Sequence, residues 1–316
     1  MPTKMIAIVG PTASGKSALA VRLGRKFGGE IISVDSRQVY RGLDLASGKL
    51  GVKERGDVKH HLLDVANLKR PPTGGFTVQQ YKKLAEKAMG EILARGRLPI
   101  FCGGTGLYLD AVLGRVTIPN VPPNQILRLE LEKLSTAELF SQLEILDPGR
   151  AENIDVHNRR RLIRAIEIAK YSCQGLTLTE EKGSAWSCLK IGLFVEPVEL
   201  KNKIKKRLTQ RLRSGLIAEI RNLHTHGVSW PRLDDLGLEC RYVSYYLRGL
   251  INQDAMIEKI EVESWHYAKR QMTWFKRDKN IIWVDTTAAA ERLARDFLLK
   301  GSTLAEKGRT LVSDKK

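Results

Sequence analysis

Gly10-Pro11-Thr12-Ala13-Ser14-Gly15-Lys16-Ser17 satisfies G-x-x-x-x-G-K-[ST], the spacing of a phosphate-holding loop. In such a loop backbone N–H groups and a helix N-terminus converge on an anion, the lysine adds charge, and the terminal hydroxyl of Ser17 is placed to ligate Mg²⁺. The pattern alone admits ATP or any other phosphate ester, and a chance match in a glycine-rich loop is the competing reading. A second chemical candidate is Asp35, which opens Asp35-Ser36-Arg37-Gln38. A carboxylate there suits proton transfer or metal ligation, and equally a cap after a strand. Third is the turn Gly103-Gly104-Thr105-Gly106-Leu107-Tyr108. Two arginine groups complete the set: Arg159, Arg160, Arg161 and Arg164 near 160, and Arg207, Arg211 and Arg213 among the lysines near 205.

These residues need elements to carry them. Met5 to Val9 reads as a buried strand running into the phosphate loop, and the apolar positions from Ala18 to Leu23 read as a helix after it. Glu30 to Val34 predicts a second strand, which puts Asp35 at a carboxyl edge on the same rim as the loop, where open parallel sheets bind ligands. Residues 41–75 read as loops with a short strand near His60-His61. Phe76 to Arg95 has the spacing of an amphipathic helix, and Leu98 to Cys102 of a strand. In nucleoside triphosphatases that strand often ends in a metal-binding carboxylate; here it ends in Gly-Gly-Thr. Pro119, Pro122 and Pro123 mark a boundary, after which the chain reads as helical. Leu189 to Val195 predicts a returning strand, Ala255 to Arg277 a long helix mixing aromatic and basic residues, Asn280 to Asp285 a last strand, and Ala288 to Leu299 a short helix. The expected fold class is α/β, a P-loop NTPase-like parallel sheet flanked by helices. Residues 1–114 and 187–300 are expected to form a discontinuous core, 115–186 a helical insertion and 301–316 a fraying tail.

The chain has 316 residues and a formal net charge of +18, from 53 Lys and Arg against 35 Asp and Glu, which points to a polyanionic partner such as nucleic acid. A basic surface without a partner is the plainer reading of charge alone. Its four cysteines, Cys102, Cys173, Cys188 and Cys240, have no zinc spacing and read as reduced thiols of a cytoplasmic protein. No apolar run approaches membrane-spanning length.

Taken together, the loop at 10–17, Asp35-Ser36-Arg37-Gln38-Val39-Tyr40-Arg41-Gly42, His60-His61-Leu62-Leu63-Asp64, the turn at 103–108, the helix from Arg160 to Glu167, and Ala268-Lys269-Arg270-Gln271-Met272-Thr273-Trp274-Phe275 resemble the tRNA dimethylallyltransferase family, in its order. The resemblance implies transfer of a dimethylallyl group from its diphosphate to N6 of the adenosine 3′ of the anticodon, by a monomer that needs Mg²⁺. It implies that Gly10, Pro11, Thr12, Ala13, Ser14, Gly15, Lys16 and Ser17 hold the diphosphate, with Ser17 on the metal. Asp35 would be the general base, assisted by Lys16 and by Arg207 as a further cation. Asp35, Ser36, Arg37, Gln38, Thr105, Arg160, Arg161, Leu162, Ile163, Arg164, Arg270 and Gln271 would meet tRNA. Motif-based ATP binding is a further expectation. Two stretches depart from the family pattern: Ala46-Ser47-Gly48-Lys49-Leu50, where Gly-Thr-Ala-Lys-Pro is usual, and Gly237-Leu238-Glu239-Cys240-Arg241, where Gly-Tyr-Lys/Arg-Glu is usual. A P-loop kinase or hydrolase, an enzyme that prenylates a free nucleotide, and a non-catalytic RNA-binding protein are the competing readings.

Overall fold

The computed structural model describes residues 3–68, 75–172 and 186–300; the expected tail at 301–316, the end of the expected insertion and Cys173 lie outside the described residues. In chain order, β1 (Thr3–Val9), α1 (Lys16–Phe27) and β2 (Gly29–Val34) are followed by a single turn, α2 (Val52–Arg55), and the short β3 (His60–His61). Next come α3 (Val78–Ala94), β4 (Leu98–Gly103) and α4 (Gly106–Val112). Four helices follow: α5 (Gln125–Leu131), α6 (Thr136–Leu146), α7 (Pro148–Ala151) and α8 (Arg159–Ser172). The chain then forms β5 (Trp186–Leu193), α9 (Pro197–Arg213), α10 (Leu216–Thr225), α11 (Trp230–Asp235), α12 (Leu238–Leu247), α13 (Gln253–Phe275), β6 (Ile281–Val284) and α14 (Thr287–Lys300).

The strands make one parallel sheet in the order β3-β2-β4-β1-β5-β6. β1 is central and its Met5, Ile6, Ala7 and Ile8 are wholly buried, which is why it reads as a continuous apolar run. One face packs on α1 and α14 through Leu19, Leu23, Ala294 and Phe297. The other packs on α3 and α4 through Tyr81, Ile92 and Leu109. α1 ends at Gly28 in a left-handed cap, and α3 starts at Thr77 with a capping box to Gln80.

Two further cores are helical. Leu131, Leu139, Leu143, Leu162 and Ile166 bind α5, α6 and α8 into a cluster of their own. Leu216, Ile220, Leu233, Val243, Met256 and Ile260 bind α10 to α13 over Val39, Tyr40 and Leu43. Within this second helical layer the sequence reading gives α13 but not α10, α11 or α12. α10, α11 and α12 span 10, 6 and 10 residues, too short for a periodic pattern to stand out.

An ion cluster ties these parts at the root of the insertion. Asp278, buried in the turn between α13 and β6, accepts from Lys190 of β5 at 2.9 Å and pairs with Arg115. Arg115 also reaches Asp110, which accepts from Trp274 Nε1 at 2.8 Å. No helix among the described residues is long and apolar enough to cross a membrane.

Candidate active site

The phosphate loop joins β1 to the first turn of α1, at the carboxyl edge of the sheet. Three side chains from three elements close on it. Lys16 Nζ, from α1, donates to the Pro11 carbonyl at 2.7 Å. Arg207, from α9, donates to Thr12 Oγ1 at 3.3 Å. Gln271, from α13, accepts the Thr12 N–H at 2.7 Å and donates to the Gly104 carbonyl at 3.0 Å. One amide therefore spans the phosphate loop and the glycine turn. Ala13 packs on the cluster of Leu200, Ile204 and Ala268, so the loop is braced from outside by α9 and α13.

Burial, with Arg207 adding to it, pulls the Lys16 ammonium down to about 8, against the attraction of Asp35. Burial, then neighbouring Arg211, brings Arg207 down to about 10, and Asp35 again opposes. Lys16, Arg207 and Asp35 thus feel one another's charge. Cys102 lies beside Lys16 and Ser17, but burial pushes its thiol up to about 11, so it sits there as a neutral group.

Asp35 follows β2, and its Oδ1 accepts the N–H groups of Arg37 at 2.8 Å and Gln38 at 3.3 Å. The carboxylate is therefore a turn cap through one oxygen. Oδ2 has no hydrogen-bond partner among the described residues. Gln38 turns inward, to Ser33 at 2.9 Å and the Gly48 carbonyl at 3.4 Å. Ser36 N–H donates to Thr105 Oγ1 at 3.2 Å, which locks the Asp35 turn to the glycine turn.

That glycine turn has a steric origin. A Cβ on Gly103 would stand 2.0 Å from the Val34 carbonyl oxygen, so β4 approaches β2 too closely to end in any side chain. The strand that ends in a carboxylate in many triphosphatases has no room for one here.

Tyrosines back this side of the site; the sequence places Tyr108 in the glycine turn and Tyr267 in the mixed aromatic and basic helix without giving either a role. Tyr267 on α13 is half-buried beside Asp35, Arg37 and Thr105, and desolvation, then Asp35, pushes its phenol up to about 12. Tyr108 stacks on Tyr81 with ring centroids 4.1 Å apart, and Tyr81 Oη donates to the Ser33 carbonyl at 2.9 Å. The available signal is spacing: Tyr267, Gln271 and Trp274 form an i, i+4, i+7 stripe on one helix face.

The arginines near 160 lie elsewhere, on α8. Arg160 and Arg161 are exposed, and Arg160 pairs with Asp235 at 2.6 Å. Arg164 instead ties to buried Glu167 and to the Val121 carbonyl at 2.8 Å. Leu162 and Ile163 belong to the insertion core. With Arg150 and Ile154 the three arginines border an open groove of about 670 Å³. Arg270 is exposed, its guanidinium 5.9 Å from the Tyr267 ring centre, whereas Gln271 is buried between the two loops.

The chain is similar to proteins over nearly its whole length. Residues 38–278 match the family model described as IPP transferase. A tRNA dimethylallyltransferase 2 of Pelobacter propionicus is 43% identical over 311 residues, covering 96% of this chain and 97% of that one. A tRNA dimethylallyltransferase of Anoxybacillus flavithermus is 36% identical over 293 residues, 91% of this chain and 92% of its own. Among solved structures, the full-length tRNA isopentenylpyrophosphate transferase of Bacillus halodurans has a TM-score of 0.70 at 33% identity, covering 97% of this chain and 100% of that one. A eukaryotic dimethylallyltransferase acting on tRNA shares the fold at a TM-score of 0.75 and 23% identity, over 94% of this chain and 80% of its own. With the matched model running from Gln38, inside the Asp35 turn, to Asp278 at the root of the insertion, this chain belongs to the IPP transferase family.

Proposed function

We propose that this protein transfers the dimethylallyl group of dimethylallyl diphosphate to N6 of the adenosine on the 3′ side of the anticodon in tRNA, releasing pyrophosphate. The observation that carries the reading is one rim on which the Asp35 carboxylate, bonded through Oδ1 alone among the described residues, lies within electrostatic reach of Lys16 and Arg207. Names of the relatives, with 36 to 43% identity over most of the chain, support the substrate pair. The crowded end of β4 favours this reading over a kinase or hydrolase.

Breaking the allylic C–O bond leaves its electron pair on the diphosphate. The loop N–H groups, Lys16 and Arg207 stabilise that charge by being fixed in place beforehand. The N6 lone pair forms the new C–N bond, and the proton that nitrogen sheds passes to Asp35 Oδ2. An ordinary carboxylate is a weak base, but nitrogen becomes acidic as it bonds to carbon, so position matters more than basicity. The half-buried ring of Tyr267 beside Asp35 offers a flat apolar surface to an adenine drawn out of the anticodon stack.

The donor set fits Mg²⁺. The Ser17 hydroxyl and diphosphate oxygens suit an ion that takes few protein ligands and keeps its waters, and the described residues hold no cluster of three His, Cys, Asp or Glu side chains. Bound there, the ion would neutralise charge on the leaving group.

Purified protein with Mg²⁺, labelled dimethylallyl diphosphate and unmodified tRNA is expected to move label to the tRNA. Brisk ATP turnover with no transfer to any tRNA would overturn the reading. Asp35→Asn keeps a turn-capping oxygen and removes the base. It is expected to lower kcat by about 10² to 10⁴-fold with tRNA affinity kept. Near-normal turnover would make Asp35 a cap and nothing more.

A further inference from the structure

The two stretches that depart from the family pattern meet in space, beside the cation that faces the phosphate loop. Gly48 has φ +63, and a Cβ there would stand 2.0 Å from Arg211 Nη2 and 2.2 Å from Arg207 Nη2. Both guanidinium groups therefore lie against the same backbone atom. Arg207 and Arg211 are one turn apart on α9 and share a face. The Gly48 carbonyl accepts from Arg207 Nη2 at 3.0 Å, and from Gln38 Nε2 of the Asp35 turn.

Two cations at such range need a counter-charge, and one is supplied from the second departing stretch. Glu239, in the first turn of α12, accepts from Arg211 Nη1 at 2.8 Å, with the side chains only 12% and 19% exposed, Arg211 first. The loop that presents Gly48 is fixed independently. Glu219 of α10 accepts the N–H groups of Asp44, Leu45 and Ala46 at 3.2, 2.7 and 3.0 Å. Lys49 Nζ donates to the Tyr40 carbonyl and to the Asp44 and Asp64 carboxylates.

We propose that Gly48, Arg211 and Glu239 form a positioning unit for Arg207 that sets the affinity for the allylic diphosphate. Gly48 leaves room for two guanidinium groups. Glu239 neutralises and tethers the second, so that Arg207 stays directed at Thr12. Without the carboxylate, two like charges compete for one carbonyl, and Arg207 moves off the phosphate loop. The proposal rests on the reading of Arg207 as a diphosphate contact, and the substituents at 48 and 239 are then linked: each is acceptable only with the other.

Steady-state kinetics on three variants test this. Arg207→Ala tests the underlying reading, and its KM for dimethylallyl diphosphate must rise; an unchanged value overturns that reading and the present one together. Glu239→Gln, nearly isosteric, is expected to raise the same KM about tenfold, with kcat and the KM for tRNA within about twofold of the parent. Adding Arg211→Ala to Glu239→Gln removes the competing cation and is expected to bring KM most of the way back. A general structural lesion would lower kcat and both affinities together, and removing a second partner would not repair it. With Arg207→Ala impaired, an unchanged or lowered KM in Glu239→Gln, or no rescue by Arg211→Ala, overturns the positioning unit alone.

Discussion

Lys16 is the residue whose chemistry depends most on its surroundings. Its ammonium falls from an ordinary 10.5 to about 8, chiefly by burial. Above pH about 8 the free protein would lose the charge proposed to meet the diphosphate. We expect kcat/KM for dimethylallyl diphosphate to fall with rising pH from there, and the limb to move to higher pH in Lys16→Arg; a flat profile from pH 7 to 9.5 would refute it. The stability linkage has the opposite sense. Between about 8 and 10.5 the unfolded chain holds a proton that the native chain has released, so this group makes stability rise with pH in that window. At the same scale, Asp35 and the phosphate loop were legible in the sequence because each sits at the end of a local apolar run. Arg207 was harder, one of seven basic residues in a short stretch, and only the fold brings it to Thr12. Tyr267 was not singled out, since an aromatic in a mixed helix looks the same whether it faces core or substrate.

Among the elements, α13 organises the site more than its composition suggests. In the sequence its aromatics suit contact with bases or, for most of them, the core, and Ala268, Gln271 and Phe275 are buried, while Trp274 packs where a Cβ on Gly106 would stand 2.1 Å from the indole. Gly106→Ala is therefore expected to push α13 from α4 and cost about 1 to 3 kcal/mol of stability, read as a fall in the denaturation midpoint without a change in slope. A variant as stable as the parent would show that the indole has room to yield. The strands and the helices α1, α3 and α13 were readable because they carry sustained periodicity or unbroken apolar runs. α10 to α12 were not. Their apolar residues meet Val39, Tyr40 and Leu43 from far away in the chain, and no local pattern records that partnership.

For the molecule as a whole, the positive balance of +18 is expected to make tRNA binding strongly salt-dependent. The α8 arginines do not contribute alike. Sequence spacing puts Arg160 and Arg164 on one face, but Arg164 is engaged by Glu167 inside the insertion, a contact that spacing cannot price against solvent. Arg160 and Arg161 are the exposed pair. Their joint replacement by Ala is expected to weaken tRNA binding and flatten the log–log salt slope by about 1 to 2, roughly 0.7 to 0.9 per lost phosphate contact. An unchanged slope would leave that groove as ordinary surface. The ion cluster around Asp278 carries a last consequence. The insertion has its own apolar core and would be free to melt by itself, but its first residue, Arg115, shares a carboxylate with β5 and the turn after α13. Fraying at the root of the insertion therefore takes one of two cations from the buried Asp278 carboxylate and leaves it to Lys190 alone, so opening one part weakens an ion cluster in the other and the two are coupled.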